Sequence, residues 1–204
     1  MNRSKPLLIG ITGGIGSGKS TVAKIFSILR IPIYFADDRA KWLMENNPSL
    51  IVEIKNTFGN ESYLEDGKLN RKFVSKKVFG YPEKTIVIYN LVHPVVKKDF
   101  EEWSSLQNSS YVLKEAALLF ETGSYKELDK IITVTSPLKV RINRVLMRDP
   151  HRSEEQLNSI IDQQMPDEEK VAKSDFVIKN VENKLLIPQV LELHEKLLKL
   201  ATKS

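Results

Sequence analysis

Short continuous apolar runs alternate along this 204-residue chain with stretches whose apolar positions recur every three or four residues. The first pattern suits strands buried on both faces and the second suits amphipathic helices, so the alternation predicts an α/β fold. Leu7–Thr12, Ile31–Phe35, Tyr111–Leu113, Lys130–Thr135 and Asp175–Ile178 read as five strands of a parallel sheet. After the first run, Val22, Ile25, Phe26 and Leu29 share a helical face. Later helices carry Leu138, Ile142, Val145 and Leu146, then Leu157, Ile160 and Ile161. The last carries Leu186, Val190, Leu193, Leu197 and Leu200 in a 4-3-4-3 rhythm that reads as core packing, with His194 beside it on the surface.

Polar punctuation divides the pattern. Residues 46–110 read as a mostly helical insertion into a core formed by 1–45 and 111–204. Asn46-Asn47-Pro48 opens the insertion, and Leu50, Ile51, Ile54 and Phe58 give it one helical face. Val96, Phe100 and Trp103 give another, after His93-Pro94. Turns are expected at Gly59, at Asp66-Gly67 and at Phe79-Gly80-Tyr81-Pro82. By composition Thr85-Ile86-Val87-Ile88-Tyr89 suits a strand. Ser136-Pro137 reads as an N-cap followed by proline at the first helical position, and Ser153-x-x-Gln156 as a capping box. Glu168–Ser174 reads as one more short helix.

Composition narrows the class. The apolar fraction of 41% and charged fraction of 28% are those of a soluble globular protein. No apolar run approaches the roughly 18 residues of a membrane span, and no secretory signal fits the N-terminus. The absence of cysteine excludes disulfides and thiolate metal sites and agrees with a cytoplasmic location. The three histidines, at 93, 151 and 194, have no metal-ligand spacing. A net charge of +5 suits anionic substrates such as nucleotides, and no long basic run marks a nucleic-acid surface.

The chemistry concentrates after the first strand. Gly13-Gly14-Ile15-Gly16-Ser17-Gly18-Lys19-Ser20 satisfies G-x-x-x-x-G-K-[ST] between a strand and a helix, the context of a P-loop. Glycines let backbone N–H groups turn inward around a phosphate, and the following helix adds free N–H groups and a positive dipole end. Gly14, Ile15, Gly16, Ser17, Gly18, Lys19, Ser20 and Thr21 are therefore the candidate nucleotide-binding residues. Lys19 suits the β- and γ-phosphates, and the Ser20 hydroxyl suits Mg²⁺. A dinucleotide-binding loop does not fit, because G-x-G-x-x-G is not met.

Three further features have two readings each. Asp37 and Asp38 follow the second strand, at the carboxyl end where ligands gather in such sheets. Either could be a general base, or one could only cap a helix over Arg39–Glu45. Glu115 follows the third strand where an acid could help hold Mg²⁺, or could again be a cap. Arg141, Arg144 and Arg148 form one stripe, suited to clamping a transferring phosphoryl group or to lying solvated on a basic face.

With these pieces placed, the sequence resembles the dephospho-CoA kinase family nearly end to end. The resemblance rests on Ile11–Ser20, Ala36-Asp37, His93-Pro94, Leu118–Glu121 and Ser136-Pro137 with Arg144 and Arg148-Asp149. Gln164-Met165-Pro166 and Asp175-Phe176-Val177-Ile178-x-Asn180 complete the order. It implies a three-layer P-loop NTPase core with a five-stranded parallel sheet, a helical substrate-binding insertion and a lid over about 148–165. The implied reaction uses ATP and Mg²⁺ to phosphorylate the ribose 3′-hydroxyl of dephospho-CoA. It implies Asp37 as base, Lys19, Arg144 and Arg148 as charge stabilisers, and Arg71 and His93 toward the acceptor. Pro137 and Asn180 fall where the family approaches adenine. It also places Thr85–Tyr89 in a helix leading to His93, against composition, and that placement is the one expected here. Phe35 stands where the family has a first Asp, so Asp37 lacks that partner and Asp38 is an extra acid.

Two other functions are compatible with a P-loop. One is a kinase for a different small acceptor, and the other is a switch or motor acting on a macromolecule. The chain has no Asn-Lys-x-Asp guanine motif, and the insertion after the second strand favours a small-molecule pocket.

Overall fold

The computed structural model describes residues 5–78 and 81–202. In chain order the elements are β1 (Leu7–Thr12), α1 (Lys19–Ile28), β2 (Ile33–Phe35), α2 (Ala36–Asn46), α3 (Pro48–Phe58), α4 (Arg71–Val78) and α5 (Pro82–Ser105). Then come β3 (Tyr111–Glu115), β4 (Lys130–Thr135), α6 (Leu138–Arg148), α7 (Glu154–Asp162), α8 (Asp167–Ala172), β5 (Phe176–Lys179) and α9 (Leu186–Ala201). The chain forms two compact units, Met1–Phe35 with Ser104–Ser204, and Ala36–Trp103. These limits fall at 35 and 103, whereas the sequence pattern alone suggested 45 and 110.

In the first unit the strands pair in the order β2-β3-β1-β4-β5, all parallel. β1 therefore lies in the middle, with the β3 register Ile11↔Glu115 on one side and the β4 register Thr12↔Thr133 on the other. One face of the sheet presents Ile9, Ile11, Tyr111, Leu113, Ile132, Val134 and Ile178, all buried. They pack against Val22, Ala23 and Phe26 of α1 and Val190, Leu193 and Leu197 of α9. Phe26 meets the Tyr111 ring edge-on, with centroids 6.4 Å apart. A buried Phe side chain contributes about 1.5–3 kcal/mol, so this α1–sheet contact helps fix the helix that starts at the loop. On the opposite face Gly10 leaves room for Leu119, Leu128 and Ile131; a Cβ there would sit 2.7 Å from the first two.

The second unit is helical. Asn47 caps α3, its side chain accepting from Leu50 N, and Pro48 takes the first helical turn. Leu50 and Ile54 are buried, and Tyr63 donates to Met44 O at 2.7 Å. Arg39 on α2 forms a two-pronged pair with Asp99 on α5, both contacts at 2.7 Å, and its guanidinium also lies 4.1 Å from the Trp42 ring centre. Val96 and Phe100 give α5 its buried side.

Several local expectations change. Thr85–Tyr89 is helical within α5, as the resemblance implied and composition did not: its residues continue the helix that buries Val96 and Phe100. The helix expected over Arg39–Glu45 begins at Ala36, which puts Asp37 and Asp38 inside its first turn, where acids suit the helix dipole. Ser136 does not cap α6; Pro137 occupies that position and the Ser136 hydroxyl accepts from Arg144 instead. The capping box of α7 forms in both directions. His194, expected on the surface, is half-buried and hydrogen-bonds the Tyr111 phenol at 2.6 Å. The turn expected at Phe79-Gly80 lies outside the described residues.

Candidate active site

The loop between β1 and α1 wraps tightly. Ser17 N donates to Gly14 O at 3.0 Å, and Val22 N to Gly18 O at 3.0 Å. Gly18 caps α1 in the left-handed region at φ 93°, which glycine adopts without a Cβ clash. Gly14 is required by space: a Cβ there would lie 1.5 Å from Arg141 Nη1. The glycine spacing in the sequence thus encodes a close approach of α6 as well as a phosphate turn.

Lys19 and Ser20 start α1 and meet one carboxylate. Glu115, at the end of β3, is 5% exposed. Its Oε1 accepts from Ser20 Oγ at 3.2 Å and pairs with Lys19 Nζ at 3.7 Å. Parallel pairing explains the meeting, because Glu115 is in register with Ile11 of β1 and Phe35 of β2. A hydroxyl and a carboxylate oxygen together are the hard donors that Mg²⁺ takes while keeping water and phosphate ligands, so these residues fit that ion. Among the described residues no group of three or more His, Cys, Asp or Glu side chains converges on a metal position.

Beside the loop lies a pocket of about 180 Å³ lined by Gly16, Gly18, Lys19, Ser20, Thr21, Arg144, Val145 and Arg148. Five cationic or hydroxyl residues and the start of α1 thus line one small space, which suits phosphate oxygens. Arg144 donates to Ser136 Oγ at 3.3 Å and to Asn180 Oδ1 at 3.4 Å. Arg148 forms a two-pronged pair with Asp149 at 3.1 and 2.8 Å. The Arg148 hydrogen bond holds the Asp149 carboxyl below its ordinary range, and the same bond raises the guanidinium.

Arg141 leaves the expected stripe. It is 7% exposed and bonds Asp167 Oδ1 at 3.1 Å, while Thr135 Oγ1 donates to Asp167 Oδ2 at 3.1 Å. Of the three arginines, two line the small pocket and the third buries itself against Gly14.

A larger cavity of about 700 Å³ opens next to it, lined among others by Pro137, Arg141, Met165, Asp167, Lys179 and Val181. The segment 164–170, of which 164–168 walls this cavity, is tied down at four points. Gln164 Oε1 accepts from Ile15 N at 2.8 Å, and Glu121 Oε1 accepts from Met165 N at 2.7 Å. Asp167 holds Arg141, and Lys170, wholly buried, pairs with Glu121 Oε1 at 2.9 Å. The sequence names Gln164 and Glu121 only within stretches that carry the family resemblance, gives Glu115 two readings, and does not mark Asp167 or Lys170. Glu115 is signalled by its position past an apolar strand and Gln164 and Glu121 by the resemblance, while Asp167 and Lys170 carry no signal, since charges on a short helix have many uses.

The remaining candidates belong to the helical unit. Asp37 lies exposed in the first turn of α2, and Asp38 beside it pairs with Lys41 at 2.8 Å. Arg71 starts α4 and reaches Glu45 at 3.4 Å. His93 lies half-buried on α5 with its ring 5.0 Å from that of Tyr89.

The sequence and the fold are similar to those of known proteins. The family model for dephospho-CoA kinase matches residues 7–185. A dephospho-CoA kinase of Bacteroides fragilis is 38% identical over 91% of this chain and 90% of its own length. One of Porphyromonas gingivalis is 35% identical over 93% of each. Among solved structures, TT1252 from Thermus thermophilus superposes with a TM-score of 0.84 at 32% identity, covering 95% of this chain and 98% of that one. Dephospho-CoA kinase from Campylobacter jejuni superposes with a TM-score of 0.68 at 28% identity, covering 94% and 97%. A shikimate kinase from Aquifex aeolicus, at 19% identity and TM-score 0.51 over 97% and 100%, shares the fold.

Proposed function

This chain belongs to the dephospho-CoA kinase family, and we propose that it transfers the γ-phosphoryl group of ATP to the ribose 3′-hydroxyl of dephospho-CoA, yielding CoA and ADP. That is the final step of CoA synthesis. The observation that carries the reading is the convergence of Lys19, Ser20, Arg144 and Arg148 on one phosphate-sized pocket in a chain matched to this family over 7–185.

The chemistry follows from charge. The acceptor hydroxyl loses its proton to the carboxylate of Asp37, its oxygen bonds the γ-phosphorus, and the bond to the β-γ bridging oxygen breaks to leave ADP. Asp37 is proposed for the base because it follows β2 by two residues, past the carboxyl end of a strand, where ligands gather in open α/β sheets. Lys19, Arg144 and Arg148 offset the charge that builds on the phosphoryl oxygens. When bound, Mg²⁺ supplies further charge neutralisation, and Ser20 and Glu115 are the residues that would hold it. Gly14, Gly16, Gly18 and Thr21 are proposed to offer backbone N–H groups to the phosphates, while Ile15 and Ser17, whose N–H groups are held by Gln164 Oε1 and Gly14 O, shape the loop around them. Pro137, on the wall of the larger cavity, is proposed beside the base of ATP.

The helical unit, with Arg71 and His93, is proposed to hold dephospho-CoA, and the segment over about 148–165 to act as a lid. No described helix is long and apolar enough to cross a membrane, and we place the reaction in the cytoplasm with no nucleic-acid partner.

ATP consumption by purified protein, with dephospho-CoA, adenosine, AMP or no acceptor, tests this. Turnover with dephospho-CoA and a product one phosphate heavier is expected. Turnover only with adenosine or AMP would move the assignment to another acceptor.

A further inference from the structure

Asn180 follows β5 directly, and its backbone N–H is fixed to Thr135 O at 2.8 Å. Both ends of its side-chain amide are engaged. Nδ2 donates to Ser17 O in the P-loop at 2.8 Å, and Oδ1 accepts from Arg144 Nη2 at 3.4 Å. The orientation is forced, because a peptide oxygen only accepts and a guanidinium only donates. Gly18 makes the fit possible: a Cβ there would lie 2.3 Å from Asn180 Nδ2.

We infer that Asn180 is a positioning residue for phosphoryl transfer, which ties Arg144 to the P-loop through the Ser17 peptide and does not read the base of the nucleotide. The cavities support this division. Arg144 lines the small pocket with Lys19 and Ser20, while the large cavity is walled by the two neighbours of Asn180, Lys179 and Val181. An arginine side chain has several free torsions, and Arg144 is restrained by two hydrogen bonds of similar length, to Ser136 Oγ at 3.3 Å and to Asn180 Oδ1 at 3.4 Å, of which only the second leads to the P-loop. A bridge to the loop that binds the phosphates holds the guanidinium in the same frame as the group it serves. Misplacing such a group by about 1 Å costs on the order of 100-fold in rate.

The inference rests on the proposed kinase activity, and one double-mutant cycle separates the two. Asn180→Ala, Arg144→Ala and the double variant are assayed with dephospho-CoA and with either ATP or GTP as donor. Asn180→Ala is expected to lower kcat by about 10- to 100-fold. The ATP-to-GTP ratio of kcat/KM stays within about 2-fold of wild type, and Asn180→Ala costs less than about 3-fold once Arg144 is already alanine. A collapse of the ATP preference, or costs that multiply in full, overturns the inference. Thermal unfolding of each variant checks folding, and Asn180→Ser replaces Asn180→Ala if the latter does not fold. A wild type inert toward dephospho-CoA refutes the activity instead. The same cycle is then read from ATP and GTP dissociation constants by calorimetry, where coupling and an unchanged base preference uphold the positioning role and their absence overturns it.

Discussion

Replacing Lys170 by methionine tests what holds the segment that walls the larger cavity. Lys170 is wholly buried, and its Nζ lies 2.9 Å from Glu121 Oε1 and 3.5 Å from Ala117 O. At 2.9 Å and an effective dielectric of about 20 the gross attraction is about 6 kcal/mol, most of it offset by desolvation. Methionine fills much of the same space, so the loss is electrostatic: Glu121 keeps Met165 N–H, while its buried Oε2 has no hydrogen-bond partner. Removing one member of a buried pair costs about 3–5 kcal/mol, and the side chain of Glu121 is 16% exposed, which favours the lower end. About 3 kcal/mol corresponds to a fall in Tm of about 6–12 °C for a chain of this length. Glu121→Gln with Lys170→Met removes both charges yet leaves an amide oxygen for Met165 N–H, and is expected to recover most of the loss. Melting curves of the four proteins, with urea unfolding for the free energies, give the coupling directly. A single variant within about 1 kcal/mol of wild type, or a double variant no more stable than Lys170→Met, refutes the argument.

Glu115→Gln keeps the shape of its side chain and removes the charge beside Lys19 and Ser20. We expect kcat to fall about 100-fold and half-saturation by Mg²⁺ to move to higher concentration, read from initial rates across a magnesium titration. Asp37→Asn is expected to lower kcat by about 100-fold or more while the ATP dissociation constant is kept, and Asp38→Asn to change little; the reverse order would assign the base to Asp38. Gly14→Ala places a Cβ 1.5 Å from Arg141 Nη1, so it should drive the guanidinium off Asp167 and raise KM for ATP. Arg148 holds Asp149 below its ordinary value, so the pair contributes above the usual carboxylate range and is lost as pH falls through the lowered pKa. A carboxyl-carbon NMR titration should place the Asp149 midpoint below about 3.9, and Arg148→Ala should return it toward that value.

The sequence by itself determined the local elements whose cause is local. Continuous apolar runs over Leu7–Thr12 and Lys130–Thr135 became strands with those limits, and the 4-3-4-3 rhythm from Leu186 became α9. The Gly13–Ser20 spacing specified a phosphate loop, because a backbone that must turn its N–H groups inward allows few other residues. Tertiary structure decided the rest. Pairing of β3 with β1 brings Glu115 to Ser20, 95 positions away in the chain, and no local pattern encodes that register. Three arginines on one helix look alike in sequence, yet packing against Gly14 and Asp167 buries Arg141 and leaves Arg144 and Arg148 to the small pocket beside the P-loop. Thr85–Tyr89, β-branched by composition, became helix because residues further along the same helix had a core to enter. The loop that first marked the chain as a phosphate binder thus owes its electrostatics to residues a sequence cannot place beside it. Charges act through space, and only the folded chain sets their distances.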